Sequence, residues 1–436
     1  MASSGTRISR CARRIVLGLW LCSLQVLGAA AKDLDEEVRS VSSIVNDAYD
    51  YLHQNPELGK REFKAHAYIK AALQKLGYTQ IVESKLAPTA VIAVLDTGRP
   101  GPVVALRAEM DARPLSEGSE PQHHVPRSQI DGVMHNCGHD FHAAMLLGTA
   151  AILARNPDKL AGKVVFVFQP AEETAGGADD IVKEGILTQL GVEKIFAQHV
   201  AGGVPVGAVS VSPGAALAGS STFTLKLKGR GSHAAAPYEG DDLPLLATHF
   251  AQALSYFPAR RLDIANRPVV VSIARIAAGG ASNVLPAEAE IGGTIRAFED
   301  IDREYDGGPA LATMLKDMVD GMAKAHGVQY EWTLRAGAPP TVNNPRLFAE
   351  VTRPLALVWP GSLNTTPYRG MFAEDFAFYT KGFPALYFSL GIAKDGLGAV
   401  GVHRAEFTIH PEAAAYGVRL MTLLARIGTT GAANWP

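Results

Sequence analysis

The spacing of apolar and polar residues changes along the chain, and each spacing predicts a different element. Between Val38 and Gly77 the apolar residues recur every three or four positions, which predicts helices ending at the glycine. A helix rich in Ala and Leu is predicted at His142–Leu153. The continuous apolar runs Lys163–Phe168 and Lys194–His199 are typical of strands buried in a parallel sheet. Alternating strands and helices predict a layered α/β domain.

A hairpin-like connection is predicted near residue 100. The β-rich runs Ala90–Leu95 and Val103–Arg107 flank the turn-forming sequence TGRPGP at residues 97–102. If this turn closes a hairpin, the two runs are neighbouring antiparallel strands.

The periodicity changes near residue 214, where Thr222–Lys228 alternates strictly between polar and apolar residues. The elements predicted from there are strand Thr222–Lys228, helix Leu243–Phe257, strands Val269–Ile276 and Ala287–Phe298, helix Pro309–His326 and strand Gln329–Leu334. Their order, β-α-β-β-α-β, is that of a ferredoxin-like motif. We therefore expect an inserted α+β domain over residues 214–335, flanked by the two parts of an α/β domain, 32–213 and 336–436.

The first 31 residues have the organisation of a signal peptide. Four arginines precede an apolar run at residues 15–28, and Ala29–Ala31 supplies a cleavage site of small residues. The run is shorter than the roughly 18 residues that favour a membrane anchor. We expect export to a periplasm or a secreted or lumenal destination. The pair Arg13–Arg14 leaves the general and twin-arginine routes open.

Composition and cysteine usage narrow the function classes. The 436-residue chain is 47% hydrophobic with a formal net charge of −2, which shows no bias toward nucleic acid or anionic membranes. Removing residues 1–31 removes Cys11 and Cys22, so the mature protein would keep Cys137 alone and form no internal disulfide. A lone thiol of this kind is either a buried structural cysteine or a metal ligand.

Candidate chemistry concentrates in Met134–His142, which holds three histidines, one cysteine and one aspartate in nine residues. Thiolate, imidazole and carboxylate groups so close together are typical ligands of a transition-metal ion. Glu172–Glu173 and His199 each follow a predicted buried strand, where α/β sheets place their sites. His403 is a fifth candidate, although a lone histidine is more often structural.

Several motifs in order resemble the amidohydrolase branch of the aminoacylase/carboxypeptidase metallopeptidase clan, which includes indole-acetyl-amino-acid, hippurate and N-acyl-amino-acid hydrolases. The motifs are ALRAEMDA (105–112), HNCGHDFHAAMLLG (135–148), FQPAEE (168–173), GRGSHAAAP (229–237), GGASNVLPAEAEIGGTIR (279–296) and AEDFAFY (373–379). The resemblance implies Glu172 as general base and a two-metal site. The implied ligands are Cys137, His139, Glu173, His199 and His403.

The resemblance also implies roles for other residues. Asp111 would orient a ligand imidazole, although its local sequence suits a turn cap equally well. His233, on the inserted domain, would stabilise the oxyanion as that domain closes as a lid, and the domain would also form a homodimer. The substrate-binding candidates are Asn283, Arg296 and Glu374. Glu109 and Arg113 depart from the usual Asp and Leu, which leaves the acyl pocket undefined.

The sequence therefore predicts an exported hydrolase that cleaves the amide bond of small N-acyl amino acids with two divalent ions. Zn²⁺ or Mn²⁺ suits the ligand set, and Co²⁺ or Ni²⁺ is compatible with it. After signal cleavage neither a membrane nor nucleic acid is expected as a partner. Two alternatives stay open: a carboxypeptidase or dipeptidase on the same fold, and a non-catalytic protein that binds amino-acid conjugates.

Overall fold

The computed structural model describes residues 33–118, 126–174, 176–305 and 307–431, so the predicted signal peptide lies outside the described residues. The described residues divide into two units, each with its own hydrophobic core. The first unit comprises residues 33–211, 345–366 and 383–431, and the second comprises residues 212–344 and 367–382.

The elements are numbered in chain order. The strands are β1 (Gln80–Val82), β2 (Val91–Asp96), β3 (Val103–Glu109), β4 (Lys163–Gln169), β5 (Lys194–Pro205), β6 (Val209–Ser210), β7 (Gly214–Leu217), β8 (Gly219–Lys228), β9 (Ser232–His233), β10 (Val269–Ala278), β11 (Val284–Leu285), β12 (Glu288–Ala297), β13 (Gln329–Ala336), β14 (Thr341–Asn343), β15 (Leu363–Asn364) and β16 (Ala385–Ala393). The α-helices are α1 (33–40), α2 (Ser42–Gln54), α3 (Phe63–Lys75), α4 (His139–Arg155), α5 (Gly177–Glu184), α6 (Ile186–Gln189), α7 (Leu243–Arg261), α8 (Leu311–His326), α9 (Pro345–Val358), α10 (Ala377–Gly382) and α11 (Ala413–Thr430).

A mixed sheet forms the centre of the first unit, and its eight strands within the described residues follow the order β1-β2-β4-β3-β5-β16-β6-β15. Strands β4, β3, β5 and β16 run parallel to one another, whereas β2 runs antiparallel to β4 and β6 runs antiparallel to β16. The predicted hairpin is wrong, because β4 lies between β2 and β3. Strand β4 carries apolar side chains on both faces, and such a strand is best buried at the centre of a sheet.

Helix α4 is buried along most of its length. It packs against α2, α11 and β3, and its residues from His139 to Leu153 are all buried. A helix that is apolar all round needs neighbours on every side, which the sheet and the two helices provide. The helix begins at His139 and not near His142, because Gly138 adopts the left-handed conformation that precedes its first turn.

The second unit contains a four-stranded antiparallel sheet with the order β10-β12-β8-β13. Along β8 the buried residues Phe223, Leu225 and Leu227 alternate with more exposed ones, as the sequence pattern indicates. Helices α7 and α8 pack on the buried face of this sheet. The chain order of these six elements is β-α-β-β-α-β.

Candidate metal centre

Three neighbouring parallel strands place chemically active side chains at one edge of the first unit's sheet. Asp111 follows the end of β3, and Glu172 and Glu173 follow the end of β4. His199 lies within β5, not after it as the sequence suggested. It is two residues beyond the pairing of Arg107 with Ala197, which places it level with the end of β3. The longer strand thus brings its histidine to the edge where its neighbours stop.

The turn before α4 brings Cys137 to the same edge. Cys137 is buried and forms no disulfide within the described residues, and its Sγ lies 3.4 Å from His199 Nε2. Gly138 has φ +86°, and a Cβ at this position would lie 2.6 Å from Val200 Cγ2. The turn between Cys137 and His139 therefore requires glycine on both conformational and steric grounds.

Hydrogen bonds define which ring nitrogen of His139 and His199 is free to bind a metal. His199 Nδ1 lies 2.8 Å from the Val200 carbonyl oxygen, and His139 Nδ1 lies 2.9 Å from the carbonyl oxygen of Asp111. A carbonyl only accepts, so each Nδ1 carries a proton, and in the neutral ring each Nε2 keeps its lone pair for a metal ion. His139 Nε2 is buried without a hydrogen-bond partner among the described residues. Asp111 Oδ1, 3.2 Å from the same Nδ1, further orients the ring.

His403 reaches the centre from the distant C-terminal part of the chain. Its backbone N–H donates to Asn136 O at 2.7 Å, next to Cys137, and its φ of +67° is unusual for a residue with a side chain. Its Nε2 lies 3.3 Å from Glu173 Oε1. A backbone hydrogen bond between residues 136 and 403 therefore joins two segments that the sequence does not link.

Two buried carboxylates hold the turn that carries Glu172 and Glu173. Ala171, with φ +56°, donates its N–H to Glu62 Oε1 at 2.8 Å. The next two N–H groups donate to Asp111, from Glu172 to Oδ1 at 3.1 Å and from Glu173 to Oδ2 at 3.0 Å. Three successive amides thus have buried acidic acceptors, which fixes a backbone conformation that residues with a side chain rarely adopt. The sequence analysis did not identify Glu62.

His142, the third histidine of the motif, uses both ring nitrogens in hydrogen bonds with other residues. Val200 N–H donates to its Nε2 at 3.0 Å, so its Nδ1 carries the proton and donates to Glu109 Oε2 at 2.8 Å. Glu109 also forms an ion pair with Arg107, and all three side chains are fully buried. Burial opposes ionisation of Glu109, but the charge of Arg107 and the hydrogen bond from His142 lower its pKa well below the usual value.

The remaining donor atoms form overlapping groups that fit metal ions. Cys137, His139 and His199 form one group, and Cys137, Glu173 and His403 form another, each with its ligand atoms within 4.8 Å of one another. A thiolate with imidazole and carboxylate donors is the ligand chemistry of Zn²⁺ and related ions. The unpartnered Nε2 of His139 supports this fit, because a buried polar atom normally has a partner.

The electrostatics of the donor atoms are consistent with a cation site. Burial raises the pKa of the Cys137 thiol, so a thiolate here needs a strong positive partner. Burial lowers the pKa of His199 to about 3, which keeps its imidazole neutral and able to coordinate. Burial disfavours the Glu173 carboxylate, but its interactions with His403, His139 and Arg113 outweigh this and lower its pKa to about 2.

Arg113 is a cation at this centre that the sequence analysis noted only as a departure. Its guanidinium forms an ion pair with Glu173, and its Nη1 lies 3.5 Å from His403 Nε2. The sequence offered one indication of its place at the site: Arg113 lies two residues after Asp111, in the segment that follows β3.

The other predicted residues belong to the second unit. His233 ends β9 and pairs with Val284, and Asn283 O accepts from Ala234 N–H at 3.0 Å, so His233 and Asn283 lie close together. Arg296 lies on β12, where burial lowers its pKa. Glu374 is buried and accepts from Phe376 N–H at 3.0 Å, just before α10. Within this unit Arg296 and Glu374 are on elements separate from the β9–β11 pair.

Comparison with known proteins identifies the family that the chain matches. Residues 105–426 match the model of peptidase family M20/M25/M40. An IAA-amino acid hydrolase, ILR1-like 2 from Arabidopsis thaliana, is 35% identical over 381 residues, covering 86% of this chain and 82% of that protein. Thermostable carboxypeptidase 2 of Saccharolobus solfataricus is 32% identical over 396 residues, covering 90% and 97%. The crystal structure of a dinuclear metal-binding M20 peptidase from Bacillus subtilis superposes with a TM-score of 0.76 at 29% identity, covering 89% and 98%.

Proposed function

The chain belongs to the M20/M25/M40 peptidase family, and from this premise we propose that it is an exported amidohydrolase of N-acyl amino acids, aryl-acyl conjugates among them. The observation that carries the proposal is the convergence of Cys137, His139, His199, Glu173 and His403 beside a second glutamate, Glu172. Relatives named as hydrolases of amino-acid conjugates support the substrate class.

Two divalent ions would be held by the two groups that share Cys137. A similar protein from Bacillus subtilis, described as a dinuclear metal-binding peptidase, supports the number of ions. Such ions polarise a carbonyl oxygen and lower the pKa of a bound water. Zn²⁺ or Mn²⁺ is the expected metal, with Co²⁺ or Ni²⁺ compatible with the same donors.

Glu172 is the proposed general base. Its backbone is fixed by Asp111, and its Oε2 lies 3.8 Å from His139 Nε2 while the side chain keeps some solvent exposure. Glu172 would accept a proton from the attacking water and deliver it to the amine nitrogen as the amide carbon–nitrogen bond breaks. Asp111 would act indirectly, by holding both the glutamate turn and the His139 ring.

The roles proposed for the second unit rest on the family resemblance. Residues 214–335, which make up most of this unit, would form a ferredoxin-like lid and homodimerisation domain. His233 would stabilise the developing oxyanion, and Asn283 and Glu374 would contact the substrate. A guanidinium suits a carboxylate, so Arg296 would bind the α-carboxylate of the amino acid.

Hydrolysis assays on the mature protein test this proposal. The protein is stripped with chelator, reloaded with Zn²⁺ or Mn²⁺, and offered N-acetyl, N-benzoyl and indole-acetyl amino acids together with dipeptides. We expect metal-dependent release of the amino acid from the acyl conjugates. Glu172→Gln should retain its metal and lose turnover. A metal-free protein with full activity would contradict the proposal.

A carboxypeptidase or dipeptidase activity is the second candidate, because proteins named thermostable carboxypeptidases are 32% identical to this chain over 396 residues. Turnover of dipeptides without turnover of acyl conjugates would favour it. Binding of conjugates without turnover, unaffected by Glu172→Gln, would instead favour the non-catalytic alternative. N-terminal sequencing of the exported protein tests cleavage after residue 31.

A further inference from the structure

The backbone of Arg113 is held beside the candidate metal centre. Its backbone forms two hydrogen bonds with Met134, from Arg113 N–H to the Met134 carbonyl at 3.0 Å and from Met134 N–H to the Arg113 carbonyl at 3.1 Å. The guanidinium contacts Glu173 Oε2 and lies near His403 Nε2, yet the side chain is 33% exposed. A permanent positive charge therefore stands among the proposed ligands and remains accessible from solvent.

Metal ligation and this ion pair compete for the same carboxylate. When Glu173 and His403 serve as ligands, the metal ion shares the carboxylate of Glu173 and weakens the negative charge that Arg113 faces. A guanidinium keeps its positive charge in a protein. Its exposed face is open to another anion, and a substrate group bound at the centre can supply one.

We propose that Arg113 binds a second carboxylate of the substrate, in addition to the α-carboxylate assigned to Arg296. The substrates would be N-acyl amino acids with an extra carboxylate, either in a dicarboxylic acyl group or in an acidic side chain. A planar guanidinium matches a carboxylate through two parallel hydrogen bonds, which gives geometric selectivity as well as attraction. This inference rests on the proposed function and defines its substrate class.

Four substrates separate the possibilities: N-acetyl-alanine, N-succinyl-alanine, N-acetyl-aspartate and N-acetyl-alaninamide. Wild-type protein should have the highest kcat/KM on N-succinyl-alanine or N-acetyl-aspartate, and the preferred one locates the second carboxylate. Arg113→Leu should lower kcat/KM on that substrate about 10- to 100-fold more than on N-acetyl-alanine, as expected for a charge-assisted pair. Arg113→Lys should recover part of the preference. Arg61→Leu, which removes an exposed arginine, is the control.

Binding provides a readout that does not depend on turnover. Calorimetry with metal-loaded protein should show that succinate binds more tightly than acetate to the wild type, and that Arg113→Leu removes this difference. Metal content is measured for each variant, so that an effect on loading is recognised. Equal losses on all four substrates, or an unchanged succinate preference in Arg113→Leu, would overturn the assignment.

The two proposals fail in different ways. If the wild type hydrolyses N-acetyl-alanine but neither wild type nor Arg113→Leu discriminates a second carboxylate, only the role of Arg113 is wrong. If Arg113→Leu weakens every carboxylate substrate but spares the alaninamide, Arg113 binds the α-carboxylate, which also overturns the second-carboxylate assignment. If no acyl conjugate is hydrolysed, the proposed function fails, and succinate binding still decides the role of Arg113.

Discussion

Replacing Glu62 by glutamine should change how the stability of the protein depends on pH. Glu62 is fully buried and accepts hydrogen bonds from Ala171 N–H at 2.8 Å, Thr89 Oγ1 at 2.8 Å and Lys60 N–H at 3.0 Å. Burial, reinforced by the nearby charge of Asp111, raises its pKa from 4.5 to about 7 despite these hydrogen bonds. The charged form of Glu62 therefore destabilises the folded state relative to the protonated form.

The sign and size of the effect follow from linkage. An acid whose folded-state pKa is raised contributes its full stability below the unfolded-state pKa and loses it as pH rises through the folded-state value. For the shift to about 7 at Glu62, the loss is about 3 kcal/mol at 1.36 kcal/mol per pKa unit. Glutamine still offers one side-chain oxygen as a hydrogen-bond acceptor, but it does not ionise. As the pH rises, the wild type should therefore lose about 3 kcal/mol of unfolding free energy relative to Glu62→Gln, mostly between pH 5 and 7.

Urea unfolding followed by circular dichroism measures this difference at several pH values. Chelator is present throughout, because metal binding to the folded state would add its own pH dependence. Glu36→Gln, which removes an exposed glutamate, controls for the loss of one charge. A difference between wild type and Glu62→Gln that stays constant from pH 5 to 8 would refute the reasoning.

Three further predictions concern the ligand set and its support. Cys137→Ser should lower metal affinity, measured by metal titration, by more than about 10–100-fold, which is the loss typical when a residue that only supports a ligand is changed. Unchanged affinity would show that this thiol is not a ligand. Gly177→Ala should destabilise the protein by about 1–3 kcal/mol and weaken metal binding, because its Cβ would lie 1.7 Å from Pro170 O, next to the glutamate turn; calorimetry and titration check both. Glu109→Gln removes the carboxylate that forms an ion pair with the buried Arg107 and should cost about 3–5 kcal/mol in urea unfolding. A loss below about 1 kcal/mol would contradict a stabilising role for this buried pair.

The local pattern of apolar and polar residues predicted the helices and strands well where it had a clear periodicity. The alternation in β8 and the apolar run in β4 gave strands at the right places, because side-chain spacing follows backbone geometry directly. The hairpin prediction failed because a turn sequence shows that the chain reverses but not which strand becomes its neighbour. Here β4, distant in sequence, takes the central position between β2 and β3.

The chemistry of the site was visible in sequence, but its connections were not. Cys137, His139, Glu172 and Glu173 stand out because reactive residue types cluster beside buried strands. His403 gave no such signal, and a single backbone hydrogen bond to Asn136 O brings it to the centre.

The sequence alone determined the types of donor atoms and the strands that carry them, since both are local properties of the chain. Only the tertiary structure decided which histidine nitrogens are free, that His142 belongs to the network of Glu109, and that Glu62 and Arg113 support the site. These features depend on hydrogen bonds between segments far apart in sequence. Their partners are chosen by how the strands and helices pack, and no local spacing records that choice.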